Sequence, residues 1–97
     1  MISAPASNKS GFGSIEFPPI PLIGEGEFGT IPSGAPAYAP NATDSAIYYV
    51  NSLPATAMEY GIEKFAPVVF NSAPDLAITG PNVGSNLGII TQFSGTV

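Results

Sequence analysis

Three prolines within four positions, Pro18, Pro19 and Pro21, set the tightest limit on what this chain can fold into. Each removes a backbone donor and fixes φ, so the segment around them can be neither a helix nor a central strand. Residues 15–24, with Ile15, Phe17, Ile20, Leu22 and Ile23 set among those prolines, therefore read as an extended edge or arm. The restriction runs through the whole chain, because its 97 residues include 11 Gly and 11 Pro, nearly twice ordinary usage. Hydrophobic residues still make up 44%, too many for a simply disordered chain. The combination predicts one loop-rich piece of an apolar fold, burying roughly 60–65% of its unfolded surface.

The remaining composition excludes whole classes of chemistry. Cysteine and histidine are both absent, so there can be no Cys/His zinc site, no internal Ser-His-Asp triad and no thiol nucleophile. Seven carboxylates face two lysines, for a formal net charge of -5. That balance is a poor match for a nucleic acid polymer or an anionic membrane surface. No apolar run approaches the roughly 18 residues a membrane helix needs. The first residues lack a charged region followed by an apolar one, so no signal peptide is expected within this chain.

Along the chain, residues 1–5 read as the tail of a strand stopped by Pro5, and 6–14 as a polar Gly/Ser loop. Residues 24–44 show little periodicity and read as one long loop. Ile47 to Val50 is rich in β formers and reads as a strand or a helix approach. A helix is predicted over 53–65, with Ala55, Met58, Ile62 and Phe65 on its apolar face. Ser52 would cap it, Pro54 suits its first turn, Lys64 suits its last, and Pro67 would end it. Gly61 weakens that helix by about 1 kcal/mol. Residues 75–79, Asp-Leu-Ala-Ile-Thr, read as a short buried strand, giving the helix–turn–strand order of an α/β unit.

Four motifs bear on function. Residues 24–29, GEGEFG, match Gly-x-Gly-x-x-Gly literally. Prolines on both sides and two glutamates beside the would-be pyrophosphate argue for a plain turn instead. Asn41-Ala42-Thr43 and Asn8-Lys9-Ser10 are glycosylation sequons, the first in more exposed-looking surroundings. Segment 80–88, GPNVGSNLG, follows the expected strand, where open α/β sheets place ligands. Gly80, Gly84 and Gly88 permit close approach, while Asn82 and Asn86 supply amide oxygens suited to Mg²⁺ or Ca²⁺. Ser94-Gly95-Thr96 adds two hydroxyls and backbone N–H groups suited to a phosphate oxygen. The same stretch reads equally well as a Gly/Asn turn with no ligand.

The stretch ITGPNVGSNLGIITQFSGTV resembles the signature of the SurE-like survival-protein phosphatases, also called nucleotidases. The opening SAPASNKSG resembles that family's Ala-Pro-x-x-x-x-Ser-Gly block, and the two blocks stand in the family's order. The Gly-Pro-Asn wording and the sequon-bearing insert look most like the secreted fungal acid-phosphatase branch. The resemblance is loosest over 15–45.

That resemblance implies an α/β, Rossmann-like SurE fold and a divalent metal, Mg²⁺ or Mn²⁺. It implies hydrolysis of phosphate monoesters, including nucleoside monophosphates, in a homo-oligomeric parent protein whose subunits exchange arms. The Pro-rich stretch 17–40 would suit such an arm. By motif position, Ser10 and Asn82 resemble metal-binding residues. Asn86, Ser94, Gly95 and Thr96 resemble residues lining the phosphate pocket. The turn around Pro54 resembles one that carries an acidic residue where this chain has Thr56.

The family's Asn-Asp-Asp-Gly, whose aspartates ligate the metal, has no counterpart here; the two aspartates, Asp44 and Asp75, stand in other contexts. Residues 1–97 are therefore expected to be a partial domain, lacking a first strand and a C-terminal part, with a Pro/Gly-rich arm or insert over about 15–45. Neutral oxygens are weak Mg²⁺ ligands without carboxylates, so no catalytic residue is assigned and the chain alone is expected to be inactive. The alternative is a non-catalytic remnant or a small binding module.

Overall fold

The computed structural model describes residues 1–81 and 87–96. Its centre is a three-stranded sheet of β1 (Ile2–Pro5), β2 (Tyr38–Pro40) and β3 (Ile47–Val50) in the order β1-β3-β2. β1 runs parallel to β3, with Ile2 opposite Ile47 and Pro5 opposite Val50. β2 is antiparallel to β3, with Tyr38 opposite Val50. Pro5 and Pro40 both end edge strands, where a missing N–H costs no ladder bond. β1 and β3 lie where the sequence placed them. β2 falls inside the stretch expected to be featureless loop, because its three residues borrow their conformation from β3.

One helical run covers the sheet: α1 (Pro54–Tyr60), a π-helical turn (Gly61–Phe65) and α2 (Ala66–Phe70). The expected stop at Pro67 does not occur. The wider π turn interrupts the regular hydrogen-bond ladder, so Pro67 stands in the first turn of a restarted helix, where its N–H would have had no partner. The run closes at Asn71, whose left-handed φ of 57° makes the usual C-terminal turn. Among the described residues no helix is long and apolar enough to cross a membrane.

The inward face also differs from the expected one. Leu53, Thr56, Ala57, Gly61 and Phe65 are buried, while Ala55 and Met58 are half-buried and Ile62 is exposed. Close approach explains the rotation. A Cβ on Gly61 would lie 2.8 Å from Ser3 Cβ, and the Ser3 hydroxyl donates to the Ala57 carbonyl at 2.6 Å. Small residues thus let the helix lie directly on β1, and the glycine that weakens the helix in isolation is the one that seats it.

Val50, Ala57 and Phe65 form the core, with Tyr48 and Tyr60 packed against it. Tyr48 stacks on Phe65 with centroids 4.1 Å apart, and Tyr38 meets Tyr60 edge-on at 5.2 Å. The Lys64 ammonium sits 4.6 Å from the Tyr60 ring centroid.

The Pro-rich arm folds back along its own chain. The Ser52 hydroxyl donates to the Phe17 carbonyl at 2.5 Å, and Phe17 N–H donates to Thr56 Oγ1 at 2.9 Å. Asn51 Nδ2 donates to the Ile20 carbonyl, and Leu22 N–H to the Ala35 carbonyl. Ser52 therefore does not cap the helix; Leu53 holds the N-cap position without a side-chain bond. Ser52, read as a helix cap, is instead one of the pegs, with Asn51 and Thr56, that hold a segment unable to donate from its prolines.

The expected strand at 75–79 is not formed. The segment lies outside the sheet, with Leu76 76% and Ile78 79% exposed. Its composition suits a buried strand, but burial needs a neighbour, and among the described residues no strand pairs with it. A groove of about 250 Å³ separates it from β1, lined by Ile2, Met58, Ile62, Phe70, Leu76 and Ile78 among others.

Candidate functional site

The two sequence blocks that suggested ligand chemistry come from opposite ends of the chain, and the fold brings them together. Loop 6–13 leaves β1 and is tied to the C-terminal segment by Gly13 N–H donating to the Phe93 carbonyl at 3.0 Å. The Asn8 side chain folds this loop, its Oδ1 accepting the Ser10 N–H at 2.9 Å. Asn8 N–H in turn donates to Glu27 Oε2 at 2.5 Å, a charge-assisted bond that fixes the carboxylate. Glu27 lies in a short 3₁₀ turn, Glu27–Gly29, anchored by its own N–H to the Ala6 carbonyl.

On the other side, Gly95 packs against the start of the helix, where a Cβ would come within 2.8 Å of Pro54 Cβ and Cγ. Only glycine lets the segment pass there without displacing one or the other. Thr96 N–H donates to Ser94 Oγ at 3.2 Å, and Thr79 Oγ1 donates to the Thr96 carbonyl at 2.6 Å.

Between these walls lies an open cleft of about 400 Å³. Ser10, Gly95 and Thr96 line it together with Lys9, Glu27 and Pro81, and Ser94 is half-buried beside it. Asn82 and Asn86, singled out from the sequence, lie outside the described residues. A slightly larger cavity of about 440 Å³ lies under the Pro-rich arm, lined by Phe12, Phe17, Ile20 and Leu22, and among the described residues none of the second block lines it.

Sequence reasoning missed Lys9 and Glu27. Glu27 sits inside GEGEFG, the rejected nucleotide motif, and lines the cleft from there. Thr56, at the position where an acidic residue was looked for, is buried and occupied with Phe17 N–H.

The cleft offers hydroxyls such as those of Ser10 and Thr96 and the Lys9 ammonium, groups that suit an oxyanion, while the Asn8, Ser10 and Thr96 N–H groups are already bonded within its walls. Glu27 opposes that charge, so Lys9 and the neutral donors make only a weak anion site. For a divalent cation the donors fall short. Among the described residues no group of three or more His, Cys, Asp or Glu could hold a metal ion. Hard cations are normally held by one or two carboxylates, and Glu27, the one carboxylate among the described residues lining this cleft, already accepts the Asn8 N–H. The described residues do not fit a metal site by themselves.

The family described as survival protein SurE matches residues 1–97, taking in both walls of the cleft. The chain belongs to the SurE family. An acid phosphatase of Yarrowia lipolytica is 36% identical over 97 residues, covering 96% of this chain and 27% of that protein. A 5'-nucleotidase SurE of Thermoanaerobacter sp. is 43% identical over 51 residues, 53% of this chain and 19% of that protein. The 5'-nucleotidase SurE of Thermosipho melanesiensis is 45% identical over 51 residues, again 53% of this chain and 18% of that protein. This SurE chain thus spans about a quarter or less of the relatives it matches. No solved structure matches it. The small mixed sheet covered by a helix is consistent with an α/β SurE domain.

Proposed function

We propose that this chain is the phosphate-facing part of a metal-dependent phosphomonoester hydrolase domain with a Rossmann-like layout. Ser94, Gly95, Thr96 and Asn86 receive the phosphate oxygens. Ser10 and Asn82 supply neutral oxygens to a divalent cation, Mg²⁺ or Mn²⁺, whose carboxylate ligands these residues do not include. The observation that carries the reading is the convergence of Ser10 with Gly95 and Thr96 on one cleft. Relatives named acid phosphatase and 5'-nucleotidase support phosphate monoesters, nucleoside monophosphates among them, as the substrate class.

The test is turnover of p-nitrophenyl phosphate with Mg²⁺ or Mn²⁺. The 97-residue chain is compared with a protein extended upstream through an in-frame Asp-Asp pair and downstream past Val97. The extended protein turns over and the short chain does not. In the extended protein Asn82→Ala lowers activity by at least roughly 10-fold, since loss of even an outer partner of a metal ligand costs that much. Activity of the short chain that disappears on Asn82→Ala places a complete metal site within these residues. An inactive extended protein supports a binding module or a catalytically dead remnant.

A further inference from the structure

The hairpin that joins β2 to β3 carries a motif that the phosphate cleft does not use. Residues 41–46 form its loop, closed by Asn41 N–H to the Ile47 carbonyl at 2.6 Å and Ile47 N–H to the Asp44 carbonyl at 3.2 Å. Asn41, Ala42 and Thr43 are all exposed, and no residue of the loop lines the cleft. Asp44 Oδ1 accepts the Ala46 N–H at 2.9 Å in the second part of the loop, and one atom organises the first part. Asn41 Oδ1 accepts from Thr43 N–H at 2.8 Å, from Thr43 Oγ1 at 2.8 Å and from Asp44 N–H at 3.2 Å.

We propose that Asn41 is an N-glycan acceptor whose modified form keeps this turn. The hydrogen bonds all use Oδ1, whereas glycosylation uses the other atom of the amide, Nδ2. Nδ2 attacks C1 of the first sugar of a polyisoprenyl-diphosphate-linked oligosaccharide. The N–C1 bond forms as the C1–O bond breaks. The lipid diphosphate leaves with that electron pair, and one amide proton passes to base. The substituted amide retains its carbonyl oxygen and with it the three bonds that hold residues 41–44. Thr43 is β-branched and therefore stiff at χ1, so its hydroxyl is already placed beside the acceptor amide.

The second sequon, Asn8-Lys9-Ser10, is built differently. Its turn is closed by the Ser10 backbone N–H, its Asn8 N–H is bound to Glu27, and it forms a wall of the cleft. A glycan there would fill the cleft.

The experiment is expression of the full chain behind a cleavable secretory leader in a eukaryotic host. A C-terminal tag bearing an established acceptor sequon reports that each molecule has met the transferase. Peptide N-glycosidase F in ¹⁸O-water marks each formerly occupied Asn. Trypsin then separates the two sequons, because the chain's two basic residues, Lys9 and Lys64, put Asn8 and Asn41 on different peptides. The expected result is an ¹⁸O-labelled Asn41 in the majority of tag-modified molecules. Thr43→Ser keeps the label, and Thr43→Ala and Asn41→Asp lose it. Asn41→Asp preserves the Oδ1 acceptor, so its circular dichroism stays that of the parent. Tag-modified molecules with an unlabelled Asn41 overturn the proposal, as does a glycosylated Asn41 chain whose circular dichroism departs from that of the Asn41→Asp protein.

Discussion

The helix–sheet half of this chain and its segment 75–96 use similar residues to opposite ends. In the first, small groups decide: Ser3, Ala57 and Gly61 bring backbone against backbone, and Phe65 fills what remains. In the second, large apolar side chains such as Leu76, Ile78 and Leu87 stand mostly exposed. Hydrophobicity supplies a driving force only where a complementary surface lies within reach, and shape decides whether that surface exists. The cleft spans both halves, since Gly95 is pressed onto Pro54 at the foot of the helix.

Substitutions break this contrast in a definite order. Phe65→Ala removes the largest core side chain and costs about 3–5 kcal/mol, a large share of what a domain this size commands; urea unfolding followed by circular dichroism should show a collapsed or absent transition. Gly61→Val forces a side chain into Ser3, and an overpacking cost of about 1–3 kcal/mol is expected from the same measurement. An unchanged midpoint would mean that the helix does not rest on β1 as described.

Ser3→Ala loses the bond to the Ala57 carbonyl, worth about 1 kcal/mol, and is best measured beside Ser3→Thr as a hydroxyl-retaining control. In the other half, Leu76→Ala and Ile78→Ala should each move the midpoint by less than about 0.5 kcal/mol, as exposed sites do. Made in a longer version of the protein, the same pair sharpens the comparison. A cost of about 2–5 kcal/mol there would show that these residues have become core.

The smallest effect is electrostatic. Glu59 is raised above its ordinary value, first by a side-chain hydrogen bond with Glu16 and then by the like charge of that neighbour, with Lys64 opposing. A carboxyl raised in the folded state favours the protonated form. Its contribution is therefore full below the ordinary glutamate value of about 4.3 and fades as pH rises through the higher folded value. Glu16→Gln should flatten the fall in unfolding midpoint across that window, while leaving the midpoint at lower pH near that of the parent. An unaltered slope would separate the two carboxyls.

The parts legible in sequence were those with local causes. β3 is a short run of β-favouring residues, β1 ends at a proline, and the helix shows in its spacing and in Pro54 at its start, although of the face read from that spacing only Phe65 is buried. Its true inner face was hidden because Gly61 and Ala57 score poorly as core, yet they are the closest contacts. Pro67 misled because a π turn can absorb a proline that an α-helix cannot. Segment 75–79 has the composition of a strand, but pairing is a property of two segments. Of the residues lining the cleft, Ser10, Gly95 and Thr96 stand in the two motif blocks. Lys9 and Glu27 were not legible, since nothing in their neighbours signals that a loop and a distant turn will meet across Asn8.

The aromatic cluster has a practical consequence. The chain has no tryptophan and four tyrosines, and Tyr38, Tyr48 and Tyr60 gather around Phe65 where helix meets sheet. Segment 75–96 contains no tyrosine. Tyrosine emission is thus a built-in optical reporter for one half of the molecule and blind to the other. A folded-state tyrosine emission that ligand leaves unmoved, set against a shift in the amide signals of Gly95 and Thr96, would locate binding in the silent half without any label.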